Sequence, residues 1–249
     1  MALEDGLAII AVPTTYAGSE QTNIYGISSK EGKRTGRDDR VLPKYVIYDP
    51  ELSITMPKTL AVSSAMNAMA HLMKALYSPR GNPLTRLSAI KGIEVVREGL
   101  QLLSTEEKLG AESNEKLQFG AYLAGKCLCE VSMALHHKAA HVLGGSFGME
   151  HSQVHTVLQS YVLAYQWPYL SKEIQKDFVQ AFMSDYPPKA LRKLAEDANA
   201  PIELKAIGFL EENIDKAASL MAANSYANIA PLKKEGLKKL LENAFHGIL

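Results

Sequence analysis

TLAVSSAMNAMAHLMKAL (59–76) decides the fold. It holds no glycine and no proline, is rich in alanine, leucine and methionine, and reads as a helix with Ser63 or Ser64 polar on one side. Downstream the same periodicity recurs almost to the end. It predicts helices over Leu84–Leu103 (after Pro83), Glu112–Leu135, His136–Gly144, Ser152–Ala164, Lys172–Met183, Pro188–Ala198, Asn213–Asn224 and Lys234–Phe245. Gly81, Pro83, Gly144, Gly145, Trp167-Pro168, Pro187-Pro188 and Pro201 punctuate the series.

Upstream the character differs. GLAIIAVP (6–13) is a short apolar run closed by a proline and reads as a buried strand. TNIYGISS (22–29) alternates enough for a second strand, and YVIYDP (45–50) for a third. KEGKRTGRDDR (30–40) is polar with two glycines and reads as a turn or exposed loop. Three such strands are too few and too short for an independent sheet domain. The expected organisation is mainly α: a β-rich piece over 1–52 and a helical domain over 53–249.

The 249 residues carry 27 Lys+Arg against 27 Asp+Glu, which gives no electrostatic case for nucleic acid or an anionic membrane. A hydrophobic share of 47% supports a sizeable core, and 22% charged residues argue against disorder. No run reaches the roughly 18 apolar residues of a membrane span. Glu4 and Asp5 precede the first apolar run where a leader would be basic, so no signal peptide is expected. Cys127 and Cys129 lie two apart, too close for an easy disulfide. A reduced, cytoplasmic compartment is the expectation, with the two thiols as small buried residues.

Five of the seven histidines crowd into MALHHKAAHVLGGSFGMEHSQVH (133–155). His137 and His141 are four apart and share a helix face, Gly144 and Gly145 allow a turn after them, and His151 follows. His71 lies on the earlier helix one turn after Asn67. Facing helices build metal sites in this way, and imidazole suits Fe, Zn, Cu or Ni. The spacing equally describes a polar helix face, and both readings stand. PTTYAGSE (13–20) offers hydroxyls and backbone N–H groups to a phosphate or amide, although an ordinary strand exit is the simpler reading. No dinucleotide fingerprint, phosphate-binding loop or nucleophile elbow is present, and GGSFG (144–148) is helix-internal or a helix-end turn.

AVPTTYAGSEQTNIYGI (11–27), GRDDRVLPKYVIYDPEL (36–52), SSAMNAMAHLMKALYSP (63–79), MALHHKAAHVLGGSFGMEHSQVHT (133–156) and the tail from Asn213 to Phe245 resemble, in collinear order, the maleylacetate reductases of the iron-containing (group III) alcohol dehydrogenases. The resemblance implies a helical C-terminal domain of the dehydroquinate synthase-like fold with a remnant of an α/β NAD(P)-binding domain. It implies hydride transfer between NAD(P)H and a carbonyl or activated C=C of a small, carboxylated substrate. Asn67, His71, His137 and His151 match the positions that hold Fe²⁺ or Zn²⁺ in metal-dependent members. His141 matches a histidine near the nicotinamide and substrate, and with His137 and His71 forms the implied catalytic set. Thr14 and Thr15 match cofactor contacts. Arg37, Arg40 and Lys138 are candidates for a substrate carboxylate. Asn67 stands where metal-dependent members have aspartate, which removes the one anionic ligand. The glycine-rich pyrophosphate turn of the family has no counterpart here, so weak autonomous cofactor binding is expected, together with a homodimer or partner chain over the exposed N-terminal strands. A dehydratase, isomerase or cyclase reusing the histidine pocket, and a non-catalytic relative, are the alternatives.

Overall fold

In the computed structural model, described for residues 7–29, 32–131, 134–223 and 226–249, helices dominate. They are α1 Lys58–Tyr77, α2 Pro83–Thr105, α3 Ala111–Glu130, α4 Leu135–Phe147, α5 His151–Gln166, α6 Lys172–Phe182, α7 Pro187–Asp197, α8 Ile214–Ala222 and α9 Lys234–His246. The N-terminal part holds β1 Ile10–Ala11, β2 Ile24–Ser29, β3 Gly32–Arg37 and β4 Tyr45–Val46. β1 pairs with β4 in parallel and β2 with β3 antiparallel.

α1 is the central element. It follows Pro57 and gives way at Ser78 to an extended backbone just before Pro79. Between them Ala61, Ala65, Met66, Met69 and Leu72 are buried in one cluster with α2, α3, α6 and α7. A second cluster joins α4 and α5 to α8 and α9 through Leu143, Leu158, Met221 and Leu241. α2 starts on a capping box: the Asn82 side chain accepts from the backbone N–H of Leu84 and Thr85, and Thr85 Oγ1 accepts from Asn82 N, with Pro83 as first helical residue. Among the described residues no helix is long and apolar enough to cross a membrane.

Four sequence expectations need correction. The 6–13 run pairs only at Ile10–Ala11 and is not buried, Ile10 being 62% exposed; residue 6 lies outside the described residues. The polar stretch 30–40 contains a strand, because β3 takes its backbone partners from β2 from Ile24↔Arg37 to Ser29↔Gly32 and needs no apolar face; residues 30 and 31 lie outside the described residues. The helix expected over 112–135 stops at Glu130, where Val131 turns extended, and the next begins at Leu135; Ser132 and Met133 are outside the described residues, as is Asn224 at the end of the expected 213–224 helix. Gly144 and Gly145 make no turn. α4 runs through both and ends on Gly148 in the left-handed conformation (φ 67°). An interior glycine costs only about 1 kcal/mol, which packing of Leu143 in the second cluster outweighs.

The N-terminal segment is held against the helices at several points, among them Gln118 Nε2 donating to the Asp49 carbonyl (3.1 Å) and a close approach of glycines. Gly18 (φ 73°) lies on Gly125 of α3, where a Cβ on Gly125 would stand 2.1 Å from the Gly18 carbonyl oxygen. Beside it Tyr16 is fully buried, its hydroxyl donates to Asn114 Oδ1 (2.7 Å), and its backbone N–H donates to Ser64 Oγ of α1 (2.8 Å).

Candidate active site

That anchor brings Thr15 to the mouth of a cavity of about 450 Å³. α1 contributes Ser63, Ser64, Asn67 and His71 to its wall, α4 contributes His137, and α5 contributes His151, Ser152 and His155. α1 and α5 are clamped where Gln159 Nε2 donates to the Met66 carbonyl (2.7 Å). Glu150 caps α5, its carboxylate accepting from the backbone N–H of Ser152 and Gln153, which fixes the start of the helix bearing His151 and His155.

The imidazoles form a chain. The rings of His71 and His137 are 4.8 Å apart, those of His137 and His155 4.9 Å, and those of His155 and His151 4.4 Å. His151 and His155 meet Nε2 to Nε2 at 3.0 Å, so one donates to the other. His136 lies behind, donating from Nε2 to the His155 carbonyl (2.9 Å). Burial, first of all, pushes His71 down to about 3 and His136 to about 4; His137 and His155 are likewise depressed by burial. Lys74 adds a like-charge contribution at His71, His136 and His137. These four rings are therefore neutral at physiological pH.

Of the residues singled out in the sequence, Asn67, His71, His137, His151 and Thr15 line this one cavity. His141 is exposed and stands outside the lining, its ring 5.3 Å from that of His151. Thr14 is exposed and not in the wall. The three cations lie elsewhere: Arg37 reaches the Cys129 carbonyl, Arg40 pairs with Asp38 (2.6 Å), and Lys138 lies over the Tyr226 ring. His155 and His136 are the additions. The 151/155 spacing repeats that of 67/71 and 137/141 and carried the signal for His155.

A divalent cation does not fit this arrangement. Among the described residues no three ligand-type side chains are disposed around a common point. The Nε2 atoms of His151 and His155 are engaged with each other. Among the described residues the Nδ1 atoms of His71, His137 and His155 are buried without the partners that normally orient metal-bound imidazoles. Asn67 supplies no charge, and Glu150 is engaged in the helix cap.

A family model described as the Fe-containing alcohol dehydrogenase family, C-terminal, matches residues 61–245. The chain belongs to this family. It is 42% identical to the maleylacetate reductase of Burkholderia cepacia, over 100% of this chain and 70% of that protein. It is 40% identical to that of Pseudomonas sp. (strain P51), over 99% and 70%. The crystal structure of maleylacetate reductase from Rhizobium sp. strain MTP-10005 superposes with a TM-score of 0.91 at 35% identity, covering 96% of this chain and 68% of that one. An iron-containing alcohol dehydrogenase from Corynebacterium glutamicum does so with 0.89 at 35% identity, covering 98% and 68%. Within the family this member is an oxidoreductase of the maleylacetate reductase type, and it spans about 70% of the length of the curated relatives.

Proposed function

We propose that the chain reduces a small carboxylated carbonyl or enone compound of the maleylacetate type at the cavity between α1, α4 and α5, with NADH or NADPH as reductant. The observation that carries this reading is the wall of imidazoles, His71, His137, His151 and His155, in one cavity with Thr15. The volume of about 450 Å³ suits a nicotinamide ring beside a small substrate, and Thr15 offers it a hydroxyl. The nicotinamide, when bound, supplies the hydride to the electron-poor carbon of the acceptor.

The rest is the work of side chains. The substrate oxygen gains electron density as its carbon accepts hydride, and N–H groups aimed at that oxygen stabilise it. The buried, neutral rings of His71 and His137 do this from the cavity wall. His71 and His137 orient the oxygen. When His155 donates its Nε2–H across their contact, His151 keeps its Nδ1–H to give to the substrate oxygen. One proton completes the two-electron reduction, and His141, exposed beside His151, passes it from solvent. Thr14 and Thr15 flank the cofactor. Asn67 holds the substrate or the amide of the nicotinamide through its side-chain amide. We divide the roles accordingly, with 1–52 on the cofactor side and 53–249 carrying the histidines, in a cytoplasmic setting that suits the free thiols of Cys127 and Cys129.

The test is NADH and NADPH oxidation with maleylacetate on the purified chain, beside fluorescence titration of each cofactor. His151→Ala and His141→Ala are expected to lower kcat roughly 100-fold or more with cofactor affinity retained. Absence of both cofactor binding and oxidation would overturn the reading.

A further inference from the structure

Lys74, one turn beyond His71 on α1, is 1% exposed, and its Nζ has no hydrogen-bond partner among the described residues. A buried ammonium needs an anion or a full set of acceptors, because leaving it bare costs several kcal/mol in principle. Its surroundings supply neither. The groups that interact with its charge are Cys127, Arg37 and the imidazoles of His71, His136 and His137. Burial holds the Cys127 thiol protonated, pushed up to about 12, and Arg37 is a second cation. No carboxylate among the described residues pairs with Lys74. Burial pushes the Lys74 ammonium down to about 8, so it remains largely charged at neutral pH.

Lys74 lines a separate cavity of about 500 Å³, between the end of α1, the start of α6 and the segments at 134 and 227–229. None of the residues lining it lines the histidine cavity. Its body is apolar: Tyr77, Pro79, Ala134, Ile174, Ala227 and Ile229. Its polar groups are chiefly donors. Ser78 Oγ accepts from Arg80 N and Ser171 Oγ caps α6, so each hydroxyl has its own O–H left to give. The Asn228 amide is committed at both ends, to Gln166 and to the Ala230 carbonyl. A space with one buried cation, two hydroxyl donors and apolar walls takes a ligand with one anionic acceptor head and an apolar body.

We propose that the Lys74 cavity is a second binding site, for a small organic monocarboxylate whose carboxylate meets Lys74 Nζ. The carboxylate completes the ammonium, and the body fills the pocket between Tyr77 and Ile229. The site stands independently of the reductase reading, since it shares no wall with the histidines.

Benzoate is the probe, with benzamide as its neutral counterpart, titrated by calorimetry into the full chain. Benzoate is expected to bind at millimolar concentration or tighter, and benzamide at least tenfold more weakly. Lys74→Met should weaken benzoate at least tenfold. Ala227→Trp, a change at an exposed position on the cavity wall, should do the same by filling the space. If Lys74→Met does not fold, benzamide and Ala227→Trp carry the test. Absence of benzoate binding, equal binding of benzamide, or binding undiminished in Lys74→Met or Ala227→Trp would overturn the proposal. Loss in His151→Ala with no loss in Ala227→Trp would place benzoate among the histidines and overturn it equally.

Discussion

At the scale of the residue, the histidine wall sets an acid limit on the fold. His71 and His136 have folded-state values of about 3 and about 4, below the ordinary 6.5. The unfolded chain therefore binds more protons between these values, and stability falls as pH drops below about 6.5. The slope is about 1.4 kcal/mol per pH unit for each such ring, so these two alone cost on the order of 4 kcal/mol by pH 5. That is a large part of the 5–15 kcal/mol typical of a whole domain. The urea midpoint is expected to fall steeply from pH 6.5 to pH 5, and a flat profile would mean the rings are charged or wet. Asn67 makes the converse point. Asn67→Asp places a carboxylate beside His71 and His137 in the cavity wall. Iron or zinc retained after dialysis, read by elemental analysis, should rise; unchanged content would show that His155 on His151, rather than the missing charge, keeps metal out. The i,i+4 spacings made most of this wall legible in the sequence. The depressed basicity was not, because it arises from burial by α1, α4 and α5 together.

At the scale of the element, periodicity served where packing and local preference agree. α1, α2 and α9 follow it closely, since alanine and leucine stripes, the Asn82-Pro83 start and the Gly247 stop (φ 71°) all point the same way. It failed where a single residue class has two uses. Gly144 and Gly145 look like punctuation, yet the chain ends α4 at Gly148, where positive φ is needed. The β3 stretch looks like a loop because its pairing is made by backbone, which leaves no apolar signature. Gly125 is the least legible of all. Helix propensity favours Gly125→Ala by about 1 kcal/mol. The 2.1 Å approach of the Gly18 carbonyl opposes it, and backbone cannot move aside as a flexible side chain would. Residues 13–22 would have to lift off α3, loosening the buried Tyr16 ring and its bonds to Asn114 and Ser64. A net loss of roughly 1–3 kcal/mol is expected in the urea midpoint, with faster proteolysis before residue 24. A gain in stability would show that Gly18 is not fixed there.

At the scale of the whole molecule, the two ends of the sequence pattern are unequal. The helical part closes its apolar faces into two clusters, whereas the strands β1 and β4 do not. Parallel pairs occur almost only inside sheets covered on both faces. Here the pair is two residues long, and Leu7, Ile10, Val12, Tyr45 and Ile47 around it are exposed. Among the described residues neither strand has a second neighbour, so each leaves an edge of backbone donors and acceptors beside that apolar strip. Such a surface drives association: burying about 400 Å² of apolar area yields on the order of 10 kcal/mol before the cost of immobilisation, which is of similar size. The balance favours a concentration-dependent dimer over a tight one. Light scattering on a sizing column is expected to show mass rising with concentration in the micromolar range. Ile10→Lys with Tyr45→Lys should return the chain to a monomer by placing charge along the strip, without touching the histidine cavity, whose lining includes neither residue. A chain that stays monomeric at high concentration, or one whose association survives both lysines, would put the contact elsewhere. The first outcome would also mean that the strip is covered by the chain itself, and hydrogen exchange at Ile10 and Val46 would then be slow rather than fast.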